Sequence, residues 1–327
     1  MRRLHLAGAF AAATALAFAG LSAAAQSSAP QGPVVHRPAP APTHARTALH
    51  EYEDHYAVNN GVKIHYVTEG QGPLVVLVHG FPDYWATWKP LMATLSAAGY
   101  RTAAMDNRGY NLSDKPQGEA AYAMPNLVGD VAAVVAAEGQ KNTILIGHDW
   151  GAAISWNVVF MRPDLVNKLV IMAVPHPAGM AREMATNKAQ QEGSNYARNF
   201  QKEGSEKNLT AEGLAGWVKD PAEKAGYVEA FKRSDFGAMM NYYRANYPKG
   251  VGETAAPPAP TPPIHVPVLV IHGMKDTALN AAGHNGTWDH VTADTTILMI
   301  PSAGHFVQHD AQDLVDRTVK DWLDARR

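Results

Sequence analysis

Three short segments carry acid and base side chains that could act together. In Ile144-Leu145-Ile146-Gly147-His148-Asp149-Trp150-Gly151-Ala152 an apolar run meets a carboxylate with glycine two residues away on either side. Small residues there let the chain turn sharply from strand into helix and lift the central side chain above a sheet. Read alone, Asp149 could also be a simple N-cap of the following helix. Val268-Leu269-Val270-Ile271-His272-Gly273-Met274-Lys275-Asp276 then ends an apolar run on an acid, and Ile300-Pro301-Ser302-Ala303-Gly304-His305 ends another on a histidine. Nucleophile, orienting acid and histidine base in that order suit a displacement through a covalent intermediate. The identity of the first residue selects the electrophile. A serine attacking saturated carbon would leave an ether that water and histidine cannot cleave, whereas a carboxylate leaves an ester, which they can. Asp149 is also ionised at neutral pH and needs no base for its attack.

These residues need a scaffold, and the rest of the chain supplies its pattern. Tyr52 to Val58 and Val62 to Thr68 flank Asn59-Asn60-Gly61, a hairpin signal. Apolar runs of strand length recur at Pro73 to Gly80, Arg101 to Met105, Thr143 to Gly147, Lys168 to Ala173, Val266 to His272 and Thr295 to Ile300. Helix-length stretches such as Trp85 to Ala98, Met124 to Ala137 and Ala152 to Met161 lie between them. Alternation of this kind predicts a mostly parallel central sheet with helices on both faces. Asp149, Asp276 and His305 then all follow strand C-termini, where such sheets place their sites. Residues 176–250 break the alternation with helical composition and no buried-strand run, which predicts an inserted helical lid. Residues 251–263, rich in Pro, Ala and Thr, predict a stiff return linker, so the core comprises 49–175 and 264–327. The order of nucleophile, acid and histidine is that of the α/β-hydrolase fold. In that fold the backbone N–H groups of Phe81 and Trp150 would form the oxyanion hole, with Gly80 letting the backbone turn.

Together His79-Gly80-Phe81-Pro82, Asp106-Asn107-Arg108-Gly109-Tyr110, Gly147-His148-Asp149-Trp150-Gly151 and Gly304-His305-Phe306-Val307-Gln308 resemble the epoxide hydrolase branch of the α/β-hydrolase superfamily. The resemblance runs from about Tyr52 to Leu323. Asn111 stands where the family commonly has Gly, and Ala152 replaces a second Gly; neither touches the reacting groups. The resemblance implies an apolar epoxide and water as reactants, a vicinal diol as product, and no cofactor or metal. It places a ring-opening tyrosine at Tyr243, within Phe231 to Arg244, and more loosely a second at Tyr196, within Asn195 to Gln201. Haloalkane and haloacetate dehalogenases share the fold, the Asp nucleophile and the His base. A dehalogenase would use the indole N–H groups of Trp150 and a second tryptophan such as Trp85 to bind halide. His176 is a candidate cavity residue, and His148 and His272 are expected to make local hydrogen bonds near strand ends. His305 and His309 have a spacing seen in metal sites, but no further ligand accompanies them. A non-catalytic binding protein on an old hydrolase scaffold would have no need of all three triad residues.

Composition excludes several classes. The 327 residues are 46% hydrophobic, with 28 Lys+Arg against 30 Asp+Glu and a formal net charge of −2, so there is no electrostatic case for nucleic acid. Cysteine is absent, which removes disulfides, thiolate catalysis and zinc–thiolate sites. No signal of oligomeric state is present. Arg2-Arg3, an Ala/Leu/Phe stretch from Leu4 to Leu21 and Ala23-Ala24-Ala25 are the parts of a cleavable signal peptide over 1–25. Residues 26–48, rich in Pro, Ala and Ser, read as a flexible tether. A periplasmic or secreted protein is expected, with no stable membrane insertion after cleavage. N-terminal sequencing of protein from a periplasmic extract should begin at or near Gln26, whereas Met1 in a membrane fraction would indicate an anchor.

Overall fold

Unbroken apolar runs imply strands covered on both sides, and the computed structural model of the chain, described over residues 52–248 and 260–327, bears this out. The expected signal peptide, the tether and most of the return linker lie outside the described residues. Strands β3 (Leu74–Val78), β5 (Thr143–His148) and β7 (Val268–Gly273) are buried at every position. They join β1 (Glu53–Asn59), β2 (Val62–Glu69), β4 (Arg101–Met105), β6 (Val166–Met172) and β8 (Thr295–Ile300) in one sheet of order β1-β2-β4-β3-β5-β6-β7-β8. The β1–β2 hairpin and the β2–β4 pair are antiparallel, and all other pairs are parallel. Asn60 and Gly61 make the hairpin turn with φ of 49° and 83°, the paired positive values of a type I′ turn.

The period of two along β3 divides the interior into two cores. Leu74, Val76 and Val78 join the side that holds α2 (Met124–Ala137) and α3 (Trp150–Met161). Val75 and Leu77 join the side that holds α1 (Lys89–Ala97) and α11 (Gln312–Asp324). Each fully buried Val or Leu side chain is worth about 1.5–3 kcal/mol.

Several boundaries differ from the sequence expectation for local reasons. Trp85–Trp88 forms a separate 3-10 turn, and α1 begins at Lys89 with Pro90 in its first turn, where a missing N–H costs nothing. Strand β7 starts at Val268 because Pro267 has no N–H to give the ladder. Helix α3 starts at Trp150, directly after the nucleophile candidate.

The chain passes from β3 to β4 on one side and then returns to β5 on the other. Loops leaving β3 and β5 therefore diverge, opening a crevice at the carboxyl ends of these strands. Between β6 and β7 the insertion contributes α4 (Pro177–Thr186), α5 (Lys188–Gly193), α6 (Asn195–Gln201), α7 (Ala211–Leu214), α8 (Pro221–Lys232) and α9 (Phe236–Asn246). It is fastened to the loop after β4. The Tyr242 hydroxyl donates to the Arg108 carbonyl at 2.8 Å, and Arg233 Nε donates to Asn111 Oδ1 at 2.8 Å. Asn111 itself adopts φ 40°, a value asparagine tolerates. Among the described residues no helix is long and apolar enough to cross a membrane.

Helix α3 packs on β3 at a distance that admits no side chain at Gly151, where a Cβ would lie 1.9 Å from the Val78 carbonyl oxygen. Gly151→Ala should therefore force the helix off the sheet and cost about 1–3 kcal/mol, the usual range for overpacking. Urea denaturation measures this, and wild-type stability in the variant would remove the constraint.

Candidate active site

Asp149 sits at φ 49°, ψ −122°, a conformation that is strained for a residue with a Cβ. Although it occupies the N-cap position of α3, its side chain makes no capping bond. The carboxylate turns across the crevice instead. A Cβ at Gly80 would meet Asp149 Cβ at 2.3 Å, so glycine is what allows the loop after β3 to approach. At this distance the Phe81 N–H donates to Asp149 Oδ1 at 2.7 Å. The Trp150 N–H, at the first position of α3, has no carbonyl partner within its helix.

The other oxygen, Oδ2, lies 3.4 Å from His305 Nε2, and His305 Nδ1 lies 2.8 Å from Asp276 Oδ2. Asp276 Oδ1 accepts the N–H groups of Ala278 and Leu279 at 2.8 and 2.9 Å, which locks that carboxylate in the loop after β7. Burial works against ionising all three groups, but the pairing prevails. His305 is pushed up to about 10 because its hydrogen bonds and charge interactions with Asp149 and Asp276 outweigh desolvation. Both carboxylates are held below their ordinary values, since the His305 bond and charge outweigh their burial. The resting site is thus an imidazolium between two carboxylates.

The insertion closes the crevice with aromatic rings. Tyr243 of α9 is 2% exposed and packs edge-on against Trp150 at 5.0 Å and Phe81 at 5.7 Å between ring centres. Tyr196 of α6 lies 6.1 Å from Tyr243 by the same measure. Burial raises both hydroxyls well above their ordinary pKa, and the Asp149 carboxylate raises them further. Both are therefore protonated donors at neutral pH. The structure thus brings Asp149, Asp276, His305, Phe81, Trp150, Tyr196 and Tyr243 together around one crevice.

Residues 73–312 match the family model described as alpha/beta hydrolase fold. An epoxide hydrolase 3 of Xenopus tropicalis is 30% identical over 81% of this chain and 76% of its own length. The chain belongs to the epoxide hydrolase branch of the α/β-hydrolase superfamily. It is also 33% identical to an AB hydrolase superfamily protein of Bacillus subtilis, over 81% of this chain and 95% of that relative. Among solved structures, a variant epoxide hydrolase from Bacillus megaterium, complexed with its naphthyloxy-propanediol product, superposes with a TM-score of 0.77. The two share 30% identity over 83% of this chain and all of that one.

Two candidates are placed elsewhere. The Trp85 ring stands edge-on to Tyr52 at 5.2 Å under the Lys89 ammonium, 5.0 Å from the ring centre, so its indole is engaged in surface packing. His176 accepts the Ala178 N–H as the N-cap of α4 and stacks on His290 at 4.0 Å, with Trp156 edge-on at 5.3 Å. A ring held on all these sides is structural. His309 is occupied by Thr87 Oγ1 at 2.8 Å.

Other residues matter more than their sequence context suggests. His148, expected to bond locally, reaches the His305 carbonyl at 2.9 Å through Nε2 and faces the Gln308 amide at 3.2 Å through Nδ1. Burial lowers its pKa to about 3, so it stays neutral and Nδ1 accepts. His272 bonds the Ala173 carbonyl across the neighbouring strand. Asp83 is fully buried, accepts the Tyr227 hydroxyl at 2.9 Å, and is raised to about 8 chiefly by burial. Its only sequence signal is an acid directly after His79-Gly80-Phe81-Pro82.

A raised histidine pKa contributes stability that is fully present below its unfolded value and lost as pH rises through the folded one. For His305 that window runs from 6.5 to about 10. Asp149→Asn leaves Asp276 as the one carboxylate bonded to the ring, so the His305 titration should move down from about 10 towards 6.5. NMR of labelled histidine reads this directly, and an unmoved titration would exclude Asp149 as a cause.

Proposed function

We propose that the protein adds water to an apolar epoxide, giving a vicinal diol through a covalent ester on Asp149. The carrying observation is the Asp149 carboxylate on its elbow, 3.4 Å from His305 Nε2, in the same site as the buried Tyr243 and the half-buried Tyr196, whose hydroxyls stay protonated. An epoxide opens to an alkoxide, which needs a proton; a halide leaves as a stable anion and needs none. The halide reading relied on a second indole from Trp85, whose ring is engaged with Tyr52 and Lys89.

In the first step Asp149 attacks an epoxide carbon, the C–O bond breaks, and Tyr243 with Tyr196 protonates the released oxygen. Ester formation removes the negative charge that helps hold the His305 proton. The imidazole pKa falls, and the proton lost from His305 balances the one the tyrosine gave, exchanged through solvent. Neutral His305, oriented by Asp276, then takes a proton from water as the water attacks the ester carbonyl. The N–H groups of Phe81 and Trp150 hold the oxyanion, and its collapse releases the diol and restores the ion pair. Every proton is thus accounted for by residues of this chain and water. The basic, apolar and small-residue parts of the N-terminus support export as the setting of this activity.

His305→Gln should stop at the ester, so mass spectrometry after styrene oxide should find an adduct on the peptide holding Asp149. Failure to trap it while substrate still binds would end the two-step reading. Tyr243→Phe keeps the ring and removes one donor. Alkylation in single turnover should slow by about 2–4 kcal/mol in barrier, as for other oxyanion donors, with ester hydrolysis changing much less. Unaltered alkylation would take Tyr243 out of the chemistry.

A further inference from the structure

The insertion touches the catalytic loops at one residue that reaches both of them. Trp217, in the short turn after α7, lies flat on Phe306 with ring centres 3.8 Å apart and planes within 5°. Phe306 is the residue directly after His305. The same indole donates its N–H to the Pro82 carbonyl at 3.2 Å, and Pro82 directly follows Phe81, whose N–H holds Asp149. One rigid side chain of the insertion therefore bears on the segment carrying the base and on the segment carrying the oxyanion donor.

We infer that Trp217 is a positioning residue that aligns His305 and Phe81 for ester hydrolysis when the insertion is seated. This rests on the two-step reading proposed above. Three features support a positional role beyond packing. His305 and Phe306 belong to no helix or strand, and the short helix α10 (Val307–Asp310) starts only after them. A flat ring stack fixes the orientation of Phe306, and through the shared peptide the direction from which Nε2 approaches the ester. The indole bond, for its part, fixes the carbonyl of Pro82 and so limits the swing of the Phe81 peptide. His305 as base and Phe81 as oxyanion donor are used together only in the second step, so misalignment should appear there first. Trp217 touches no reacting atom in this scheme, and its effect passes through Phe306 and Pro82.

The experiment separates the two steps. Wild type, Trp217→Phe and Trp217→Leu are mixed in excess over styrene oxide, and ester formation and breakdown are followed by quenching and mass spectrometry. Trp217→Leu removes stack and hydrogen bond, and should slow ester breakdown on the order of tenfold to a hundredfold, the scale of a small misplacement of reacting groups. Alkylation should stay within about threefold of wild type on that scale, so ester accumulates and kcat falls more than kcat/KM. Trp217→Phe keeps a ring but no N–H, and should fall between the two. It is also the variant to use if Trp217→Leu does not fold. Equal losses in both steps would mean that Trp217 only supports the fold, and unchanged breakdown would mean that the contacts align nothing; either overturns the inference. Absence of any ester in wild type would instead defeat the two-step reading itself.

Discussion

The close approach of three backbone segments sets the geometry of the whole site. The turn from β5 into α3 holds Asp149 at a positive φ, and this is possible because Gly147 and Gly151 leave room for helix and strand to touch. Gly80 lets the loop after β3 come within hydrogen-bond distance of the same carboxylate. Fully buried strands beneath the turn resist the relaxation that would relieve it. Strain of order 1–3 kcal/mol at one residue is thus held in place by a core many times larger. The result is a carboxylate aimed away from its own helix and towards a histidine that arrives from β8, far along the chain.

Charge follows from that placement. A buried carboxylate next to no cation would take up a proton and lose its nucleophilicity. Asp149 avoids this through His305, and His305 keeps its proton through Asp276 as well. The acids that lack such a partner behave differently. Asp83, within the same interior and bonded by the Tyr227 hydroxyl, is raised to about 8, chiefly by burial. Two aspartates on the same pair of loops are therefore shifted in opposite directions because one has an imidazolium within reach and the other has a phenol. The neutral His148 fits the same logic. A second charged imidazole 4.9 Å from His305 would weaken the pair that keeps the nucleophile ionised.

The sheet and its site residues were legible because each leaves a local signature. Strands covered on both faces read as unbroken apolar runs, the hairpin reads through Asn60-Gly61, and the elbow reads through glycines at fixed offsets from Asp149. Asp276 and His305 read through their place after such runs. What did not read was contact between segments far apart. Trp85 and His176 have the right residue types for a pocket, yet Lys89 and Tyr52 claim one and His290 claims the other. Nothing local in the sequence announces those neighbours. The reach of His148 to the loop of His305 depends in the same way on two strand ends meeting across 157 residues.

The insertion shows how a short segment can both hold and act. Tyr242 and Tyr243 are consecutive on α9, so their side chains leave the helix about 100° apart at 3.6 residues per turn. Tyr242 turns to the core, where its hydroxyl bonds the Arg108 carbonyl and its ring packs against Tyr110 and Tyr122. Tyr243 turns to Phe81, and both rings pack edge-on against Trp150. Arg108 is itself fixed by a buried two-point ion pair with Asp130 of α2, Nε to Oδ2 at 2.6 Å and a terminal nitrogen to Oδ1 at 2.5 Å. The chain of support runs from α2 through Arg108 to Tyr242 and ends on the hydroxyl of Tyr243. Gln201, donating to the Tyr243 and Tyr247 carbonyls, and Asn246, donating to the Tyr122 carbonyl, hold the same helix from its other sides. The direction in which the Tyr243 side chain leaves α9 is therefore set by several contacts of the helix acting together, of which the Tyr242 hydroxyl bond is one.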